Sequence, residues 1–272
     1  MKKQKRPVGK AFMILSIVFF YLPIFFVVLF SFNSSKSLTT FKGFSLQWYE
    51  KLFKNRDMME SLWTTVLVAV IATVVSTVTG TMAAIGLSRS RKLVRDLTLQ
   101  VNDFPVMNPE IVTAIGLMLF FITFGIERGL LTMILAHIAF CIPYVILSVM
   151  PKIRTMDPNL IDAAMDLGCT PWQALTKVVV PDIKPGIVSG ALIAFTMSFD
   201  DFVISYFVTG PGVKNLSIMV YSMTKRINPT VNAVSTLVVV FITIALVIIN
   251  IVPVIRERKI KRKDVTDQNL IS

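Results

Sequence analysis

The segment IDAAMDLGCTPWQALTKVVVP, residues 161–181, is a polar interruption between two long hydrophobic runs. A helix start signal lies just upstream, where Asp157 can cap the helix and Pro158 stands where a missing N–H is tolerated. Gly168 and Pro171 then end the helix or turn the chain. The predicted short helix has a surface of small side chains: Ala163, Ala164 and Gly168. Such a surface lets another protein approach the backbone closely.

The composition is that of an integral membrane protein. Of the 272 residues, 54% are hydrophobic, and the mean hydropathy is +0.70, whereas soluble domains have roughly 45–50% apolar residues. The net charge of +12 comes mostly from basic residues that flank hydrophobic runs, which argues against nucleic-acid binding. Cys141 and Cys169 are predicted to be unpaired, and neither has other metal ligands nearby in the sequence. His137, inside a hydrophobic run, is predicted to be a hydrogen-bonded packing residue.

Six hydrophobic runs reach the length of about 20 residues that a transmembrane helix needs. The predicted spans are 11–31, 61–88, 104–124, 130–150, 186–208 and 230–255, and the loop 151–185 contains the segment quoted above. The first run follows a basic terminus, but it is too long for a signal peptide and no cleavage site follows. We therefore predict a single transmembrane domain over residues 1–272.

The basic residues predict the orientation of these spans. With both termini in the cytoplasm, 19 of the 28 lysines and arginines lie on the cytoplasmic side and 9 on the other. This distribution follows the positive-inside rule. It places the helix around Asp162 in the cytoplasm.

Three acidic residues lie inside the predicted spans: Glu110, Asp200 and Asp201. Charges within a membrane are costly and usually functional. Pro105 and Pro109 should break or kink the third span just before Glu110, and broken membrane helices usually line a cavity. Carboxylates around one cavity would attract a cation and repel an anion. As an alternative, the two aspartates could hydrogen-bond backbone groups freed by nearby turns, or pair with another subunit.

The spacing within the quoted segment resembles a known motif. The pattern D-A-A-x-x-x-G, nine residues, then V-x-V-P is similar to the EAA loop of permease subunits of ABC importers, E-A-A-x-x-x-G, nine residues, then I-x-L-P. The departures are Asp162 for Glu, and Val178 and Val180 for Ile and Leu. The resemblance implies that the loop forms a coupling helix that docks into a cleft of a cytoplasmic ATPase. The residues carried over to this role are Asp162, Ala163, Ala164, Gly168 and Pro181.

Further runs resemble the permeases of spermidine/putrescine importers. They are SFDDFVISYFVTGPGVKNLSIMVYSM from residue 198, INPTVNAVST from 227, NPEIVTAIGLMLFF from 108 and HIAFCIPYVILSV from 137. The resemblance implies an all-α membrane protein of six helices with the type I importer (MetI-like) fold, in a bacterial cytoplasmic membrane. It also implies three kinds of partner: a second permease subunit, two copies of an ATPase and an extracytoplasmic polyamine-binding protein. ATP and Mg would be bound by the ATPase, and this chain would bind no cofactor.

By the same resemblance, Glu110, Asp200 and Asp201 become candidates for the polyamine path. Phe199, Phe202 and Tyr206 could supply its walls, although aromatic residues in a span are more often contacts to lipid or to other helices. A permease for another cation, such as a basic amino acid or ferric ion, stays open. A membrane enzyme or receptor lacks support, because the sequence has no G-x-S-x-G, no H-E-x-x-H and no phosphate-binding loop. Without that loop, the energy for transport must come from a partner.

Overall fold

A computed structural model describes residues 7–37, 39–224, 229–244 and 247. The helices in this part are α1 (Pro7–Ser31), α2 (Gln47–Lys54), α3 (Arg56–Arg89), α4 (Lys92–Met107), α5 (Glu110–Thr123), α6 (Leu130–Thr155), α7 (Leu160–Asp166), α8 (Pro171–Ala174), α9 (Val180–Asp200), α10 (Val203–Val208), α11 (Leu216–Thr224) and α12 (Thr230–Ile244). A π-helical turn, Leu175–Val179, joins α8 to α9. Elsewhere in the described residues, one isolated antiparallel bridge joins Asn33 and Phe44.

The chain divides into two compact units. One contains the described residues up to Arg56 and from Met223 onward, and the other runs from Asp57 to Ser222. In the first, the Asn33 side chain donates to the Ser37 and Thr40 carbonyls at 2.9 Å, and the buried Trp48 ring N–H donates to the Asn33 carbonyl at 2.6 Å. These bonds hold the connection between α1 and α2 in place of regular structure.

Four helical segments are long and apolar enough to cross a membrane: Phe12–Ser31, Arg56–Arg89, Leu130–Thr155 and Pro171–Asp200. They overlap the first, second, fourth and fifth predicted spans. The apolar helix α12 covers part of the sixth. Apart from residue 247, the rest of that span and the basic C-terminal tail lie outside the described residues. The all-helical, multi-span fold is confirmed, whereas the orientation of the termini stays a prediction.

The third predicted span, 104–124, contains the last turn of α4 and the whole of α5, and these two helices are bent by 107° at residues 108–109. Pro109 has no N–H to donate, and its ring disfavours a helical conformation at Asn108, whose ψ is 150°. Pro105, in contrast, is accommodated inside α4. The predicted break is therefore confirmed, and it occurs at the second of the two prolines.

The loop predicted over 151–185 is shorter in the structure, because helices extend into it from both sides. The segment Thr170-Pro171-Trp172-Gln173 starts a helix through a reciprocal capping box. Gln173 N–H donates to Thr170 Oγ1 at 3.3 Å, and Thr170 N–H donates to Gln173 Oε1 at 3.1 Å. This motif is present in the sequence and predicts the observed start.

The core of the second unit forms where α6 meets α3 and α9 through glycines. A Cβ added to Gly80 of α3 would lie 2.8 Å from the Val145 Cβ, and one added to Gly190 of α9 would lie 3.2 Å from the Val145 Cα. A Cβ added to Gly186, one turn before Gly190, would lie 2.9 Å from Lys152 Cγ and 3.0 Å from the Ser148 carbonyl oxygen. Such close contacts are how helices associate in lipid, where hydrophobicity does not drive packing.

Candidate functional site

The three predicted carboxylates come together at two interrupted helices. Glu110 opens α5 directly after the Pro109 break, and Asp200 and Asp201 lie where α9 ends before α10 begins. The Glu110 carboxyl is close enough to both aspartates and to His137 for their charges to interact. The fold therefore places acidic side chains that are 90 residues apart in sequence within one cluster.

Asp201 is buried, and its carboxylate is fully engaged by the protein itself. Ile204 N–H donates to its Oδ1 at 3.1 Å, and Ser205 N–H donates to its Oδ2 at 2.7 Å. His137 Nε2 lies 3.3 Å from Oδ2, and 1% of each side chain is exposed. The carboxylate thus satisfies amides that the interruption of the helix leaves without partners. This arrangement matches the alternative in which the aspartate bonds to freed backbone, and it gives Asp201 a structural role.

His137, on α6, connects three helices at the centre of the second unit. Its Nδ1 is 2.6 Å from Ser198 Oγ on α9, and its Nε2 is 3.0 Å from Ser205 Oγ on α10. The predicted role of a hydrogen-bonded packing residue is confirmed. The sequence did not indicate its pairing with Asp201, because the two residues are on different predicted spans.

Asn215, which sequence reasoning missed, ties the loop before α11 to the same cluster. Its Nδ2 donates to the Asp201 carbonyl at 2.9 Å and to Ser205 Oγ at 2.8 Å, while its Oδ1 accepts from Ile218 N–H at 2.9 Å. All three bonds are buried. A single asparagine in a turn-rich segment carries no signal that distinguishes this role from an ordinary turn residue.

Glu110 and Asp200, unlike Asp201, have exposed side chains. Phe202, two residues after Asp200, packs against two tyrosines: its ring centroid lies 5.4 Å from that of Tyr206 and 4.8 Å from that of Tyr221. Ser217 Oγ donates to the Asp200 carbonyl at 3.2 Å, which places Tyr221, one turn further along α11, near Asp200.

This surface combines negative charge with aromatic faces, and both attract organic cations. Tyr206 and Tyr221 are about half exposed, whereas Phe199, which was predicted as a wall, is buried in the core with 4% exposed. For Phe199, the burial fits the alternative of a contact between helices rather than a wall. In the described residues, no group of three or more His, Cys, Asp or Glu side chains is arranged to hold a metal ion.

A second candidate surface is the segment around α7. Gly168 has a φ of +89°, its N–H donates to the Met165 carbonyl at 2.9 Å, and Cys169 N–H donates to the Ala164 carbonyl at 3.1 Å. These bonds form a Schellman motif, in which the glycine supplies the left-handed conformation. The predicted end of the helix is confirmed.

Only part of the predicted small-residue surface is accessible. Asp162, Ala163 and Gly168 are exposed, but Ala164 is 7% exposed and faces the chain's own interior. The face also has two large apolar side chains that the sequence reasoning did not include: Leu167, 87% exposed, and Trp172, 71% exposed. Exposed residues of this size next to small ones are typical of a protein-binding surface.

Pro181 is exposed near the start of α9. It cannot donate to the carbonyl one turn earlier, and the backbone there widens into the π turn, where Val180 N–H donates to the Leu175 carbonyl. The helix nevertheless continues without a break from Pro171 to Asp200. A continuous helix thus links the segment beside α7 to the carboxylate cluster.

These features define a class of protein: a multi-span helical membrane protein with interrupted helices at an acidic cluster and an exposed, partly apolar segment at one end of a long helix. Residues 76–262 match the model of the family "Binding-protein-dependent transport system inner membrane component". The chain belongs to this family. It is accordingly a transport subunit of the inner membrane rather than an enzyme.

Two curated relatives are each 35% identical to the chain. One is the spermidine/putrescine transport system permease protein PotC of Haemophilus influenzae, with 88% of this chain and 93% of the relative aligned. The other is the putrescine transport system permease protein PotI of Escherichia coli, with 83% of each aligned. A solved structure with a similar fold belongs to a bacterial ABC transporter that imports alginate, at a TM-score of 0.70 and 15% identity, covering 93% of this chain and 98% of that one.

Proposed function

We propose that this chain is a permease subunit of an ATP-driven importer that moves polyamines, such as spermidine and putrescine, across the cytoplasmic membrane by alternating access. The observation that carries the proposal is the exposed pair Glu110 and Asp200 beside the Phe202, Tyr206 and Tyr221 rings. The names of the curated relatives, PotC and PotI, support the same substrate class.

Polyamines are flexible chains in which charged ammonium groups are separated by apolar methylenes. A site for them needs carboxylates for the ammonium groups and apolar or aromatic walls for the methylenes. Glu110 and Asp200 supply the carboxylates, and Tyr206 and Tyr221 supply half-exposed rings. Asp201 takes a positioning role, because it holds the start of α10 and the backbone beneath this surface. A basic amino acid meets the same charge requirement, whereas a ferric ion would need a compact ligand group.

The energy for transport comes from partner subunits. We propose that α7 and its flanks dock into a cleft of a cytoplasmic ATPase through Asp162, Ala163, Gly168, Leu167 and Trp172. Two ATPase copies with ATP and Mg, a second permease subunit and an extracytoplasmic polyamine-binding protein complete the importer. A solved neighbour of the fold, at a TM-score of 0.63, is an alginate transporter in complex with its periplasmic protein. Movement of the docked segment would reach Asp200 along the helix from Pro171.

Uptake of radiolabelled spermidine, putrescine and arginine in cells that carry the whole transporter tests this proposal. Glu110→Gln and Asp200→Asn should each lower polyamine uptake at least tenfold, because each removes one carboxylate that pairs with an ammonium group of the substrate. Asp182→Asn, at the other end of α9, is the matched control and should transport normally. Uptake of arginine without polyamine by the wild type, or normal polyamine uptake by both variants, would refute the substrate assignment.

A further inference from the structure

A cavity of about 370 Å³ lies between the end of α3, the start of α4, the end of α6 and the beginning of α7. Three arginines line it: Arg89, Arg95 and Arg154. They come from three different helices, so only the tertiary fold brings them together. The transport proposal uses none of them.

Little in the described residues neutralises these charges. Arg95 Nε is 3.4 Å from Asp96 Oδ1, a half-exposed contact that is worth little. Arg89 and Arg154 have no ion pair in the described part of the chain. Asp157 is near the cavity's Pro158, but its Oδ1 accepts from Asn159 N–H at 2.9 Å. An anion that enters the cavity therefore meets guanidinium groups with free donors.

The rest of the surroundings suits a lipid rather than a soluble anion. The cavity floor is apolar, with Met150, Ile153, Met156 and Ile161. Helix α4 buries none of its residues and exposes an apolar row at helical spacing: Leu93, Leu97, Val101 and Phe104. Arg95 is two positions from both Leu93 and Leu97 and so points to the other side of α4 from this row. An acyl chain attached to a charged group in the cavity would therefore contact the cavity's own apolar side chains.

We infer that this cavity binds the phosphodiester headgroup of an anionic phospholipid, with the first part of the acyl chains against the cavity's apolar side chains. Basic pockets between helices at the cytoplasmic face are the usual form of such sites, and each Arg or Lys near an anionic surface adds to the attraction. The inference rests on the proposed placement of α7 at the cytoplasmic side. Because α7 borders the cavity, a bound lipid would brace the segment that docks the ATPase.

Native mass spectrometry of the whole transporter, titrated with phosphatidylglycerol or phosphatidylcholine, tests this inference. The wild type should retain phosphatidylglycerol in preference to phosphatidylcholine. Arg89→Gln/Arg154→Gln should weaken phosphatidylglycerol binding roughly tenfold or more. Lys92→Gln/Lys177→Gln removes the same charge near the same end of the unit, outside the cavity, and should bind phosphatidylglycerol as the wild type does.

The inference would be overturned by equal retention of the two lipids, by unchanged phosphatidylglycerol binding in the double arginine variant, or by an equal loss in the control. Displacement of phosphatidylglycerol by millimolar inorganic phosphate would also do so, since it would assign the cavity to free phosphate. Polyamine-stimulated ATP hydrolysis by the same wild-type preparation is measured separately. Its absence would count against the transport proposal and leave the lipid result standing.

Discussion

Asp200 and Asp201 are neighbours in the chain, but their side chains have opposite surroundings. The Asp201 carboxylate is buried and accepts two backbone N–H groups beside His137. The Asp200 side chain is exposed next to the Phe202 and Tyr221 rings. One step along a helix turns a side chain by about 100°, and here the helix also ends between the two residues. Although the two residues look equivalent in the sequence, Asp201 supports the fold and Asp200 is accessible.

This separation predicts different defects for the two neutral variants. Asp201→Asn should lower the stability of the purified transporter by about 1–3 kcal/mol, because a buried charge-assisted acceptor is lost. Asp200→Asn should leave stability within about 0.5 kcal/mol of the wild type, because its side chain is exposed. Thermal unfolding followed by tryptophan fluorescence measures both. If Asp201→Asn unfolds like the wild type while polyamine uptake is lost, Asp201 contacts substrate directly.

Helix α7 shows how a short element depends on one backbone conformation. A Cβ at Gly168 would meet nothing within 4 Å, so the glycine is not needed for close packing within this chain. Its φ of +89° is instead the requirement, because it closes the Schellman motif that ends the helix. The position thus tolerates a side chain sterically but not conformationally.

Substitutions at Gly168 separate these two requirements. Gly168→Ala should cost about 1–2 kcal/mol in the local fold and lower uptake, because an alanine resists the left-handed conformation. Gly168→Asn should retain more uptake than Gly168→Ala, since asparagine adopts that conformation more readily. Gly168→Leu should abolish uptake through its bulk at the docking surface. Surface labelling checks that all variants insert, and equal uptake by the leucine variant and the wild type would argue against docking at this point.

Local patterns in the sequence predicted where the helices are interrupted, but they did not predict how the helices pack. Pro109 and Gly168 each carry a backbone constraint that acts within a few residues, so the break and the helix end were predictable. The capping box at Thr170 was equally local, although its signal was overlooked. The burial of Ala164 was not predictable, because it depends on which face of a short helix meets the rest of the chain.

The sequence predicted which residues form the acidic cluster, but not which of them supports the fold and which is accessible. Charge inside hydrophobic runs indicated all three carboxylates, and the fold brings them together. The assignment of Asp201 to support depends on His137 and Asn215, which come from other elements. Such partners are set by tertiary packing, which local patterns in a single sequence do not indicate.

At the scale of the whole chain, one continuous helix joins the exposed segment around α7 to the acidic cluster. The segment from Pro171 to Asp200 begins beside the exposed docking face and ends at the carboxylates. Its π turn is the one departure from α-helical geometry along this path, and π turns are frequent at functional sites. In the mechanism proposed above, this continuity carries movement from the docked segment to the carboxylates.

The most direct test is ATP-dependent accumulation of radiolabelled spermidine in proteoliposomes that contain the complete transporter and its binding protein. An ATP-driven polyamine importer should accumulate spermidine when the vesicles enclose ATP and should accumulate none without it. The variant Glu110→Gln/Asp200→Asn should accumulate at least tenfold less spermidine than the wild type. The control variant Asp182→Asn should accumulate spermidine as the wild type does. Wild-type vesicles that hydrolyse ATP but accumulate no polyamine, or carboxylate variants that accumulate it normally, would contradict the account.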